Sequence, residues 1–181
     1  VGATRLHRPE WVAVHPHTSE VFVTLTNGSG NGASVNSNRN PNPYGHIVRF
    51  SESRTDDTAF SWDIFLLAGD PSYDANVPPD QPVFGSPDGI WVDPSGIVWI
   101  QTDISNSSQN LASRGYDGIG NNAMLAAVPE TGELKRFMTG PRGCEITGVV
   151  MTPDQRTMFV NIQHPGESTT YWNNLNGGAP T

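Results

Sequence analysis

Cysteine and lysine each occur once in the 181 residues, at Cys144 and Lys135. A lone cysteine excludes an intramolecular disulfide and a cysteine-built zinc site, and it leaves the redox compartment open. Charged residues make up only 15% of the chain. Long helices draw on Ala, Leu, Glu and Lys at exposed positions, so this scarcity argues against a helical fold. No apolar run approaches the roughly 18 residues of a membrane span, and no membrane partner is expected. Val1 to Arg8 holds no signal-peptide core. The chain starts at Val rather than Met, which reads as a piece of a longer protein.

Bases are scarce as well: 10 against 18 acids, for a net charge of -8. Such a chain repels phosphate backbones, so no nucleic-acid partner is expected. The acid excess serves either solubility or the binding of hard cations, and composition alone does not choose between them. What the chain has in abundance is 19 glycines and 15 prolines, together with Asn, Ser and Thr. These are the turn-forming residues of an all-β protein.

An internal repeat organises the chain. Three segments align: RPEWVAVHPHTSEVFVTLT from Arg8, SPDGIWVDPSGIVWIQTD from Ser86, and GCEITGVVMTPDQRTMFVNIQ from Gly143. Each reads as an acid, a short apolar strand, a proline-centred turn and a second strand. Further strands are expected at 45–50 and 60–68 after the first hairpin, and at 123–128 and 133–138 after the second. Four antiparallel strands per unit describe blades of a β-propeller. Two blades and part of a third are present. Such a fold needs about four to eight to close, so residues 1–181 are expected to be the C-terminal part of a single propeller domain lacking its N-terminal blades. The tail after Gln163 shows no strand pair to complete the last blade. Three long linkers, 27–43, 69–85 and 103–121, are either functional or disordered.

The repeated acids are Glu10, Asp88 and Glu145. At the entry to the innermost strand of each blade, their carboxylates would converge at the mouth of the channel. Gathered like charges repel unless a cation sits among them, and oxygen ligands suit calcium, magnesium, manganese or ferric iron. The alternative is that each acid caps its own turn. Arg8, two residues before Glu10, is either a fork for a phosphate or carboxylate or one half of a surface ion pair. Cys144 reads as a small, half-buried packing residue, and His164 as a loop histidine or a ligand. Pro9, Pro87 and Trp11, Trp91 and Trp99 read as packing residues of the blades.

The runs RPEWVAVHP, FGSPDGIWVD, GCEITGVVMTPD and MFVNIQHPGES, with Asn40 to Ile47 between the first two, resemble the C-terminal half of the PhoX-type alkaline phosphatases. That resemblance implies a propeller that hydrolyses phosphomonoesters with calcium and iron ions at its channel mouth. It further implies a phosphate-contacting Arg8, metal-binding Glu10, Asp88 and Glu145, small-molecule phosphoester substrates, action as a monomer, and a periplasmic or secreted location. The family's iron-ligating cysteine belongs to the N-terminal half, so Cys144 does not stand for it. Two rival readings remain. SPDGIWVDPSGIVWI also suits a calcium-dependent lactonase propeller, and a propeller whose acids only cap turns would be a non-catalytic binding platform.

Overall fold

The computed structural model describes residues 2–30, 35–36, 38–54 and 58–167. Among the described residues are ten strands, paired antiparallel within each sheet. They are β1 (Pro9–Val14), β2 (Val21–Leu25), β3 (His46–Ser51), β4 (Ser61–Leu67), β5 (Pro87–Val92), β6 (Val98–Thr102), β7 (Ala123–Val128), β8 (Glu133–Thr139), β9 (Glu145–Met151) and β10 (Met158–Gln163). They form two four-stranded sheets, β1-β2-β3-β4 and β5-β6-β7-β8, and the pair β9-β10. Apart from one 3-10 turn at Ala112–Arg114, the described residues contain no helix. The all-β class and the four-stranded sheets are therefore as expected. The tail from 168 onward lies outside the described residues.

The hairpin turns explain why the repeat reads as it does. Each inner hairpin reverses through one residue with a left-handed backbone: Ser19 (φ 62°), Gly96 (φ 95°) and Gln155 (φ 56°). The residue that opens each turn ties it. Asp93 Oδ1 accepts the Ser95 and Ile97 backbone N–H at 2.8 and 3.1 Å, and His15 Nδ1 accepts that of His17 at 3.2 Å. Burial would push the Asp93 carboxyl up, but bonds from the Ser95 and Trp99 side chains and two backbone amides hold it below its ordinary value.

Alternating strand direction has a consequence for function. The connections 26–45, 68–86 and 103–122 all emerge on the rim where β1, β5 and β9 begin, whereas the opposite rim carries short turns such as 15–20, 93–97 and 152–157. The long linkers are ordered in large part by burial. Tyr44, Val77, Phe84, Ile104, Tyr116 and Ile119 from these connections are each at most 5% exposed. At roughly 1.5–3 kcal/mol for each large apolar side chain buried, they are part of the core. Residues 31–34 and 37 of the first linker lie outside the described residues.

Two apolar clusters join the sheets. Phe22, Ile47 and Leu66 meet Phe84, Ile90 and Ile100 between the first and second sheets, and Trp99 and Met124 meet Cys144 and Ile146 between the second and third. Cys144 is fully buried, deeper than expected, because this second interface closes over it. Burial also raises its thiol pKa. Trp99 packs as expected. Trp11 is 47% exposed, since no sheet among the described residues covers that side of β1.

Candidate metal centre

The entry to each inner strand repeats a backbone device. Arg8 (φ 46°), Ser86 (φ 54°) and Gly143 (φ 73°) hold a left-handed conformation one residue before Pro9, Pro87 and Cys144. Arg8 and Ser86 hold it at a strain of about 1–3 kcal/mol each. The next strand fixes the kink: the Thr26 N–H donates to the Arg8 carbonyl at 3.1 Å, and the Asp103 N–H to the Ser86 carbonyl at 2.9 Å. The kink places Glu10, Asp88 and Glu145 at the same rim of their strands.

Hydrogen bonds from neighbouring sheets then hold these entries in place. The buried Thr24 and Thr26 hydroxyls of the first sheet donate to the Asp88 and Pro87 carbonyls of the second at 2.6 and 3.0 Å. The Asn122 amide of the second sheet donates to the Cys144 carbonyl of the third at 2.8 Å. Gln109 Oε1 accepts the Gly143 N–H at 2.9 Å.

Three carboxylates meet at this rim. Asp88, Asp103 and Glu145, each half-buried, offer oxygens that lie within 4.8 Å of one another. Two of them are the acids singled out by the repeat. The third, Asp103, follows the last residue of β6 and is brought alongside by the pairing of Pro87 with Thr102. Glu10 lies outside this trio. Its carboxylate accepts a bond from Arg8 Nη2 at 3.3 Å, while Arg8 Nη1 donates to Asn27 Oδ1 at 3.5 Å. In this structure the Arg8 guanidinium, with its side chain 54% exposed, is thus an ion-pair partner of Glu10. His164 Nε2 stands 3.7 Å from Glu145, and Gln163 Nε2 donates to the same carboxylate at 3.1 Å.

Burial and mutual repulsion both act on the trio. The Asp88 carboxyl is pushed up to about 6, first by burial, then by the charges of Glu10 and Asp103, with partial relief from Arg8. Burial likewise raises Glu145, with Asp103 and Asp88 adding to it. Asp103 is raised chiefly by burial, against the relieving charges of Arg8 and His164. Three acids held together against their own repulsion make this cluster the candidate site for a cation. The donor set fits a hard one: calcium–oxygen distances of about 2.3–2.6 Å place two ligand oxygens up to about 5 Å apart, and all three ligands are carboxylates.

Three comparisons bear on this arrangement. The family model for alkaline phosphatase PhoX matches residues 1–166. A solved structure described as Pseudomonas fluorescens PhoX in complex with vanadate, a transition state analogue, superposes with a TM-score of 0.82 at 44% sequence identity. That match covers 99% of this chain and 33% of the other, so the chain spans about a third of the relative's length. No curated protein matches.

Proposed function

Because the chain belongs to the PhoX alkaline phosphatase family, we propose that it forms part of a metal-dependent phosphatase that hydrolyses phosphomonoesters at the rim where β1, β5 and β9 begin. The convergence of Asp88, Asp103 and Glu145 carries this reading. Family membership favours it over a lactonase or a non-catalytic platform.

The sheets are read as blades of a β-propeller, with residues 1–181 as its C-terminal part. Exposed apolar side chains support that reading on both flanks, Val12 and Val14 on β1 and Val150 and Phe159 on β9 and β10, each 57–60% exposed. Further blades would cover them.

Asp88, Asp103 and Glu145 would hold calcium or iron, with Glu10 as a further acid nearby. Bound there, a cation supplies positive charge that polarises the phosphoryl oxygens and assists attack by an oxygen nucleophile. The chain's own residues do the rest. Arg8 presents a planar fork to the transferred phosphoryl group, and Glu10 and Asn27 hold two of its nitrogens so that the fork is oriented before substrate arrives. The threonine hydroxyls on Pro87 and Asp88 keep the second strand entry from shifting as charge develops. The relative's complex with vanadate, a transition-state analogue, supports phosphoryl chemistry. Substrates would be small phosphoesters, and the enzyme a periplasmic or secreted monomer. Among the described residues, no helix is long and apolar enough to cross a membrane.

The test is hydrolysis of p-nitrophenyl phosphate by the full-length protein. Arg8→Lys keeps the charge and removes the fork, so the rate should fall by about a hundredfold with bound metal retained. Hydrolysis at the parental rate would return Arg8 to a surface ion pair.

A further inference from the structure

Asn122 is 1% exposed, and its amide joins the backbone at two of the three carboxylates. Its Oδ1 accepts the Thr102 hydroxyl at 2.9 Å and the Ile104 N–H at 2.6 Å. Its Nδ2 donates to the Ile104 carbonyl at 2.9 Å and to the Cys144 carbonyl at 2.8 Å. Two lone pairs and two N–H groups are all that a carboxamide offers, so its capacity is fully used. The bonded residues are what matter. Thr102 and Ile104 flank Asp103, and the Cys144 carbonyl belongs to the peptide unit that leads into Glu145.

We infer that Asn122 is the positioning residue of the carboxylate cluster, setting the separation of Asp103 from Glu145 by clamping the end of β6 to the start of β9. This inference rests on the metal-site reading above. Asp103 and Glu145 repel one another, and they sit on different sheets. A packed apolar interface alone lets strand ends slide by fractions of an ångström. A saturated, buried amide does not, because any slide leaves a buried polar group without a partner. Cation affinity depends on that spacing, since ligand oxygens off by a few tenths of an ångström no longer close on one ion.

The experiment is calorimetric titration of calcium into metal-stripped full-length protein, comparing the parent with Asn122→Asp, Thr102→Val and Trp99→Phe. Asn122→Asp keeps the shape and both accepted bonds, loses both donors, and adds a negative charge that by itself favours a cation, so weakened binding reports the lost clamp. Thr102→Val removes one bond to the amide, together with the 2.8 Å bond that the same hydroxyl accepts from the Ala123 N–H. Trp99→Phe loses the 2.9 Å bond to Asp93 at the opposite rim and controls for general destabilisation. The clamp requires calcium binding weakened about 10–100-fold in Asn122→Asp and several-fold in Thr102→Val, with the Trp99→Phe affinity at the parental value. Parental affinity in both Asn122→Asp and Thr102→Val, whatever their stability, would overturn the clamp alone. A parent that bound no calcium would overturn the cluster and the clamp together.

Discussion

Replacing Asp88 by asparagine should stabilise the metal-free protein while abolishing its response to metal. The Asp88 carboxyl is raised from 3.8 to about 6, first by burial and then by the neighbouring acids Glu10 and Asp103. A group whose folded-state pKa lies above its unfolded value contributes stability that is complete below the unfolded pKa and is lost as pH rises through the folded one. At about pH 7.5, Asp88 is ionised in both states and the folded state bears the full penalty. At about 1.4 kcal/mol for each tenfold change in proton affinity, that penalty is roughly 3 kcal/mol, and solvent screening of a partly exposed group reduces it to about 1.5–2 kcal/mol. Asp88→Asn keeps the shape and removes the charge. In a chain of this size the gain corresponds to a rise in Tm on the order of 5 °C. Thermal unfolding in strong chelator measures it, and the gain should shrink toward zero at about pH 4, where Asp88 is already protonated in the fold. Added calcium should raise the Tm of the parent but not of the variant. An equal gain at both pH values, or a loss of stability at neutral pH, would refute the electrostatic argument.

Calcium stabilisation of the parent should fade as pH falls through about 6, because protons compete for Asp88, and burial raises Asp103 and Glu145 in the same direction; a Tm difference independent of pH over that interval would count against these ligands. Thr26→Val removes the hydroxyl bonded to the Pro87 carbonyl and leaves that carbonyl unpaired between two sheets. Denaturant unfolding should register a loss of about 1–3 kcal/mol, and an unchanged midpoint would show that the bond contributes nothing.

The all-β class and the hairpin repeat were legible because each unit carries the same punctuation: an acid, an apolar run, a proline-containing turn and a second strand. The structure adds why Arg8 and Ser86 occupy positions that Gly143 fills in the third unit, since all three share a left-handed backbone. Asp103 was not legible by repetition. The first unit has Thr26 at the equivalent place, where its backbone N–H makes the bond to Arg8 that Asp103 makes to Ser86. The signal that would have found it is hairpin closure, which puts the end of IQTD beside the start of SPD. Glu10 shares the repeat but pairs with Arg8, a neighbour that its counterparts lack. Linker order was hidden for another reason. Tyr44, Tyr116 and Phe84 stand among glycines, asparagines and prolines, so no periodicity marks them, although together they cap the core between the sheets.

The central claim is that a cation held by Asp88, Asp103 and Glu145 makes this rim a phosphatase site. Its most direct test follows phosphomonoester hydrolysis and bound metal together in the full-length protein, through one cycle of chelation and reconstitution with calcium and iron. Hydrolysis should fall about a hundredfold or more as metal is lost and return as metal is restored. Undiminished hydrolysis by protein shown to contain no metal would contradict the claim.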